Sequence, residues 1–225
     1  MVRSLAIAFV LPALATAPVP APSEKELIAK HWGATKGNGE FALGGKQLTI
    51  RSAGEPSHRF VHFITVGTER IPHTTRTVNG DFEATVRVVD ASAPNNTAQR
   101  DDPATRAGLF LFAGGEAVEV TLCQSGHPAA KREVRLAVWG GPCVVRKVLA
   151  DAEAGKSIYL RLTRRNDVFS AAYSPDGEMW SVPEGVKAFG AGTPDELTVG
   201  VFLAHNTRQI GAGATFDNFT IAKPK

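Results

Sequence analysis

The sequence has few of the cysteine residues that form disulfides or zinc sites in small folds. It contains two cysteines among 225 residues, Cys123 and Cys143, and neither takes part in a C-x-x-C or C-H pair. This spacing excludes a zinc site as the organising feature of the fold. A chain of this length can bury roughly 70% of its unfolded surface, so its apolar core can stabilise it without metal or disulfide.

Long apolar runs are also missing, because a membrane helix takes roughly 20 apolar residues and the one run present covers only residues 5–15. This run follows Arg3 and ends in Ala13-Leu14-Ala15, the arrangement of a secretory signal peptide. We therefore predict a signal peptide over 1–15, an extended Pro-rich linker over 16–23 and one domain over 24–225. The predicted location is secreted or periplasmic, without membrane insertion.

The compartment bears on the two cysteines. In an oxidising environment, a disulfide between Cys123 and Cys143 is favoured. The alternative is two separate buried thiols.

No long stretch shows helical periodicity, apart from a short helical segment near residues 23–33. Apolar residues instead alternate with polar ones over short runs that are separated by turn residues, which is typical of antiparallel sheets in a sandwich or barrel. The positions predicted to face the core are Ala84, Val86 and Val88; Val118, Val120 and Leu122; Val134, Leu136 and Val138; Ile158, Leu160 and Leu162; and Leu197, Val199, Val201 and Leu203.

The stretch "YSPDGEMWS", residues 173–181, is similar to the aspartate box of sialidases but differs in spacing. The box needs one residue between Asp and Gly, whereas Asp176 and Gly177 are adjacent here, and no second copy follows. Pro175, Asp176 and Gly177 suit the corners of a tight turn. The stretch therefore predicts a β-hairpin.

Charge is unevenly distributed, since basic residues clearly outnumber acidic ones between Lys131 and Arg165. Such a segment can attract anionic glycans, nucleic acid or anionic lipid. Solvated strand faces are the alternative interpretation.

Five stretches occur in an order that resembles a known family. They are "VNGDFEATVRV" (78–88), "RAGLFLF" (106–112), "YLRLTRRNDVFSAAYSPDGEMWS" (159–181), "LTVGVFLAHN" (197–206) and "ATFDNFTI" (214–221). Together they resemble exported bacterial β-sandwiches of the concanavalin A-like lectin/glucanase superfamily, nearest to the "regulation of enolase"-like family. The resemblance implies an all-β jelly-roll sandwich of two antiparallel sheets, with a concave face that binds glycans in many relatives.

Catalytic motifs of that superfamily are absent. Its glucanases carry the acid and the nucleophile on one strand as E-x-D-x-x-E or E-x-D-x-E, a spacing that places both carboxylates on one face. The nearest pair here, Glu116 and Glu119, has odd spacing and would point to opposite faces of a strand. No nucleophile elbow appears either. We therefore predict that the protein is not an enzyme.

Candidate ligand-binding residues occupy the non-core positions of the strands. Trp139 is in phase with Arg135 and is a candidate platform for a sugar ring; a buried tryptophan is the alternative. The full predicted set, expected to converge on one concave face, is Arg87, Glu119, Arg135, Trp139, Tyr159, Arg161 and His205. Alternatively these groups form ion pairs, Glu119 with Arg135 or Arg161.

The resemblance also implies a role for Asp217 near the last strand, where an acidic residue of many lectin-like sandwiches helps to hold a structural Ca²⁺. Asp217 could equally cap a backbone turn. No other cofactor is expected.

Two functions follow. The first is a secreted, non-catalytic carbohydrate-binding-like module whose partner is a glycan or cell-surface polysaccharide, with no nucleic acid expected. The second is a structural or protein-interaction module at the cell surface with no small ligand.

Overall fold

The computed structural model describes residues 21–52, 71–92, 105–113, 115–124, 131–139, 145–182, 184–186, 192–205 and 212–224. The predicted signal peptide, most of the linker and Cys143 lie outside these residues. Within them the elements, in chain order, are α1 (Glu24–Trp32), β1 (Ala34–Lys36), β2 (Gly39–Gly44), β3 (Gln47–Ser52), β4 (His73–Asn79), β5 (Phe82–Ser92), β6 (Thr105–Ala113), β7 (Glu116–Gln124), β8 (Arg132–Trp139), β9 (Val145–Ala152), β10 (Ile158–Arg165), β11 (Val168–Ser174), β12 (Glu184–Val186), β13 (Glu196–His205) and β14 (Gly213–Ala222).

The strands form two seven-stranded antiparallel sheets, which confirms the predicted all-β jelly-roll sandwich. Sheet 1 has the order β1-β4-β13-β6-β7-β8-β9, and sheet 2 has the order β12-β11-β10-β5-β14-β3-β2. The chain passes from sheet 1 to sheet 2 between β9 and β10, through residues 153–157. Because of this crossing, the candidate site residues on β7 and β8 lie in sheet 1, whereas those on β10 lie in sheet 2.

The core lies between the sheets and contains the apolar residues predicted from alternation. Val86, Val120, Leu160 and Val201 are each fully buried in one contiguous cluster. A period of two places every second side chain of a strand on the same face, and burial of that face accounts for the pattern.

Helix α1 lies against the sandwich and closes part of its core. It begins with a capping box, in which the Ser23 hydroxyl accepts from the Glu26 amide and the Glu26 carboxylate accepts from the Ser23 amide. Its buried residues are Ile28 and Trp32, and the Trp32 ring stacks on Phe219 with centroids 5.6 Å apart. No helix in the described part of the chain is long and apolar enough to cross a membrane.

The predicted turn after β11 is confirmed. Gly177 adopts φ +84°, and Asp176 Oδ1 accepts from the amides of Glu178 and Met179. The Ser181 amide donates to the Tyr173 carbonyl at 2.9 Å, which brings the chain back along β11. The stretch therefore forms a turn and not a repeated blade motif.

Candidate functional site

The structure divides the predicted ligand-binding residues between the two sheets. Glu119 on β7 and Arg135 and Trp139 on β8 belong to sheet 1, whereas Arg87 on β5 and Tyr159 and Arg161 on β10 belong to sheet 2. The non-core faces of two stacked sheets point away from each other. The prediction that these residues converge on one face is therefore wrong.

His205 lies on neither outer face. It continues the core phase of β13, which contains Leu197, Val199, Val201 and Leu203, and it is buried. Its Nε2 lies 2.5 Å from the Ser52 hydroxyl on β3, across the sandwich. The prediction that His205 lies near the wet end of this strand, within the ligand-binding set, is therefore wrong, since its side chain is buried between the sheets.

The outer face of sheet 1 carries a second apolar cluster, formed by Ile71, Phe110, Ala117, Ala137, Trp139, Phe202 and Ala204. Phe110 meets Phe202 edge-on at 6.0 Å and His73 edge-on at 5.3 Å. A sequence signal for this cluster existed, because "GLFLF" and "GVFLA" are apolar in both phases, as in strands that are buried on both faces.

Trp139 is part of this cluster and exposes only 2% of its surface. The guanidinium carbons of Arg146 and Arg106 lie 4.6 and 5.5 Å from the centre of its ring. Both distances are typical of cation–π contacts. The ring is therefore not the exposed stacking platform that its strand phase suggested, since arginines and apolar neighbours cover it.

Glu119 is fully buried beside this tryptophan. Its Oε2 accepts from Arg106 Nη1 at 2.9 Å. Burial raises the pKa of Glu119, whereas Arg106, the Trp139 side chain and Arg146 favour its ionised form. The Arg106 guanidinium thus has two contacts that hold it in place, the hydrogen bond to Glu119 and the packing against the Trp139 ring.

The predicted alternative ion pairs of Glu119 with Arg135 or Arg161 are wrong. Arg135 pairs with Glu133 on its own strand, with Nη2 and Oε2 2.5 Å apart. Arg161 lies 3.5 Å from Glu83 on sheet 2. Each of these arginines thus pairs with a glutamate of its own sheet, Arg135 within β8 and Arg161 with a residue of the neighbouring strand β5.

A shallow recess with a volume of about 20 Å³ opens above β6 to β9 on this face. Its lining residues are Arg106, Thr121, Cys123, Arg135, Leu136, Ala137, Trp139 and Arg146. Arg146 is exposed, Arg135 exposes 28% of its side chain and Arg106 exposes 12%. The arginines are therefore the charged groups of the lining that a ligand would meet.

Cys123 lies at the edge of the recess as a buried free thiol. Burial raises its pKa, and Sγ lies 3.4 Å from the Thr121 hydroxyl. Cys143 lies outside the described residues, so the disulfide between them stays a prediction.

The outer face of sheet 2 is polar, and its centre is an ion pair. Arg87 Nε donates to Asp217 Oδ1 at 2.7 Å and Arg87 Nη2 donates to Oδ2, which raises the pKa of Arg87. Tyr159 lies beside this pair, with its ring centre 5.6 Å from the guanidinium carbon.

The same ion pair bears on the calcium prediction for Asp217. Both carboxylate oxygens already accept from a guanidinium, and the carboxylate caps no turn in the described residues. No three His, Cys, Asp or Glu side chains in the described residues come together to hold a metal ion. The structure thus gives Asp217 an arginine partner, and a calcium site there stays a prediction.

Arg161 on sheet 2 repeats the arginine–tryptophan contact of sheet 1. Its guanidinium carbon lies 3.6 Å from the ring centre of Trp180, whose Nε1 donates to the Gly177 carbonyl. This pair does not line the recess on sheet 1, so Arg161 serves as a control for the arginines of that recess.

Comparison with known proteins identifies the fold alone. No family model and no curated protein sequence matches the chain, so membership in the "regulation of enolase"-like family stays a prediction. A functionally unknown protein from Saccharomyces cerevisiae is similar with a TM-score of 0.63 and 16% identity, over 83% of this chain and 92% of that one.

Two further solved structures share the sandwich. An alginate lyase from Klebsiella pneumoniae has a TM-score of 0.57 and 12% identity, over 82% of this chain and 84% of that one. A legume lectin-like domain from Entamoeba histolytica has a TM-score of 0.55 and 9% identity, over 93% of this chain and all of that one (100%). These structures support the predicted two-sheet jelly-roll sandwich at the level of fold, and membership in the concanavalin A-like superfamily stays a prediction.

Proposed function

We propose that the protein is a secreted, non-catalytic carbohydrate-binding module whose ligand binds in the recess on the outer face of sheet 1. The observation that carries this proposal is the grouping of Arg106, Arg135 and Arg146 around one recess. Guanidinium groups donate several hydrogen bonds in a fixed plane, which suits sugar hydroxyl and carboxylate oxygens. The lectin-like and alginate lyase structures that share the sandwich support the same class of ligand.

The arginines of the recess are held before any ligand arrives. Glu119 binds Arg106 from the buried side, and Glu133 binds Arg135. Arg146 packs over the buried Trp139 ring. Binding groups that are already ordered lose less conformational entropy when a ligand binds.

The carboxylates near the recess favour binding over catalysis. Glu119 is fully buried and paired with Arg106, so a ligand in the recess would not touch it. Glu116 lies on the same strand in the phase of the core residue Val118, and the pair therefore does not share a face. A retaining pair of carboxylates about 5 Å apart on one face is the arrangement that glycoside hydrolysis needs.

A glycan array probed with the chain from residue 16 onward tests the proposal. We expect retention on a subset of glycans, a loss of about tenfold or more in affinity for Arg146→Ala, and unchanged retention for Arg161→Ala, because a charge-assisted hydrogen bond is worth about 1.5–3 kcal/mol. Circular dichroism of both variants checks that the sandwich is intact. No retention of the parent on any glycan, or equal retention of both variants, would contradict the proposed site.

A second candidate function, a protein-interaction module at the cell surface, has one observation in its favour. Met179 and Val182, after the turn that follows β11, expose 77% and 90% of their surfaces. Exposed apolar patches often mark contact surfaces, and these two side chains are three residues apart in the sequence. If this function is correct, Met179→Ser with Val182→Ser abolishes retention of the protein on cell-envelope fractions, and Arg146→Ala does not.

A further inference from the structure

We propose that the recess on sheet 1 binds an acidic sugar, whose carboxylate or sulfate group is held by the guanidinium groups of Arg106, Arg135 and Arg146. This inference rests on the proposed function and names the class of its ligand. Three features of the recess lead to it.

The first feature is that the recess offers no bare aromatic ring. Neutral sugars are commonly held by stacking of their apolar ring faces on exposed Trp or Tyr. Trp139 exposes only 2% of its surface, and the guanidinium groups of Arg146 and Arg106 lie over its ring. The tryptophan therefore positions arginines, and a ligand meets N–H donors and positive charge.

The second feature is the balance of charge. Arg106 pairs with Glu119, which does not line the recess and is fully buried. Glu133 neutralises Arg135 in part but exposes 22% of its own side chain. Arg146 is exposed at the rim, and no carboxylate belongs to the lining formed by the described residues. Because the described lining carries three guanidinium groups and no carboxylate, the recess attracts an anion.

The third feature is geometry. A guanidinium presents parallel N–H donors in one plane, which match the two oxygens of a carboxylate or sulfate. The recess is shallow, with a volume of about 20 Å³, which is far below the range of enclosed small-ligand sites. It can therefore contact one acidic group of a sugar chain that lies across the face, and it does not enclose a sugar unit.

The same features argue against single-stranded nucleic acid. Proteins that bind it combine a basic groove with aromatic rings on which successive bases stack. Of the described aromatic residues of this face, Phe110, Phe202 and Trp139 are buried and Phe112 is partly buried against them, so they present no row of exposed rings. An acidic sugar needs only the donors that the recess presents.

Binding of matched polymers measured by isothermal titration calorimetry tests the inference. The probes are polygalacturonate, alginate and chondroitin sulfate, with polygalacturonate reduced at its carboxyl groups as the neutral control on the same backbone. We expect at least one acidic polymer to bind, at least tenfold loss of affinity for the reduced polymer, and weakening as salt rises. Arg146→Ala and Arg135→Ala should each lower affinity for the acidic polymer about tenfold, with Arg146→Lys intermediate because it keeps the charge but loses the planar fork.

The controls separate this inference from its alternatives. Arg161→Ala removes one positive charge from the other face, and equal loss in that variant would show diffuse electrostatic attraction and overturn the recess as the site. Equal affinity for the reduced polymer, or tighter binding of an oligodeoxythymidine, would overturn the acidic sugar. If only neutral glycans on the array bind, the acidic ligand is wrong while the proposed function stands; if no glycan binds, both fall.

Discussion

At the scale of single residues, the molecule uses ion pairs whose carboxylates differ in their degree of burial. The carboxylate of Glu119 is fully buried, that of Asp217 exposes 8% of its side chain, and that of Asp151 exposes 59%. A buried carboxylate that loses its partner keeps the desolvation cost, whereas an exposed one returns to water. Burial of the acid therefore decides what each pair contributes.

Replacement of Arg87 should destabilise the fold measurably. Arg87→Ala removes both guanidinium hydrogen bonds from the nearly buried Asp217 carboxylate and leaves it the 3.4 Å bond from Gln47 Nε2, and we expect a loss of about 1–3 kcal/mol in the free energy of unfolding. Lys131→Ala is the matched control, because both members of the Lys131–Asp151 pair are exposed, and it should leave stability unchanged. Urea denaturation monitored by tryptophan fluorescence measures both. Equal stability of parent and Arg87→Ala would show that the pair contributes nothing.

Glu119 gives a pH dependence whose sign follows from its burial. Its pKa in the folded protein is raised above the ordinary value of 4.5, chiefly by burial, so the folded state holds the proton more tightly than the unfolded state. The contribution of Glu119 to stability is therefore greatest below pH 4.5 and falls as the pH rises from 4.5 through the raised pKa. The other carboxylates titrate too, so the quantity to measure is the difference between parent and Glu119→Gln.

We expect the stability of the parent relative to Glu119→Gln to decrease with rising pH in that window and then to level off. Chemical denaturation at a series of pH values gives this difference directly. A difference that increases with pH would mean that Arg106 outweighs burial and that the pKa of Glu119 is lowered in the folded protein.

At the scale of elements, the turn after β11 depends on a glycine for two separate reasons. Gly177 has φ +84°, and a Cβ there would lie 3.0 Å from the Tyr159 ring on β10. Gly155, between β9 and β10, has φ +71° with open space around it. Alanine substitutions at these two glycines therefore separate the cost of backbone strain from the cost of crowding against the Tyr159 ring.

Gly155→Ala should cost about 1–2 kcal/mol, the usual cost of a left-handed conformation for an L-residue. Gly177→Ala should cost more, because the Tyr159 ring must also move. Urea midpoints of the two variants provide the measurement. If Gly177→Ala is no more destabilising than Gly155→Ala, Tyr159 yields freely and does not fix the turn.

Sequence alternation predicted the elements well because burial acts on every second residue of a strand. The triplet Val118, Val120 and Leu122 is fully buried as expected. The opposite phase was harder to interpret, since Phe110 and Phe202 lie there and are also buried. One apolar phase identifies a strand, but only both phases together indicate a strand that is covered on both sides.

At the scale of the whole molecule, the candidate site could not be predicted because sheet membership is a long-range property. Arg135 on β8 and Arg161 on β10 lie in strands with the same apolar–polar alternation. Between them, at residues 153–157, the chain crosses from sheet 1 to sheet 2. The alternation of each strand is the same whichever sheet it joins. Arg106 and Arg146, which complete the recess, become neighbours only through the order β6-β7-β8-β9.

The disulfide predicted between Cys123 and Cys143 is the last question at this scale, because it depends on the compartment that the whole chain enters. In the described structure Cys123 is a buried thiol whose raised pKa makes it a poor nucleophile, so native alkylation would leave it unlabelled whether or not a bridge exists. Alkylation must therefore be done after denaturation without reductant. We expect the exported protein to take up no label before reduction and two labels after it, and to lose about 3 kcal/mol of stability on reduction, as the chain-entropy model gives for a loop of about 20 residues. Two labels before reduction would show two separate thiols and leave the sandwich core alone to stabilise the fold.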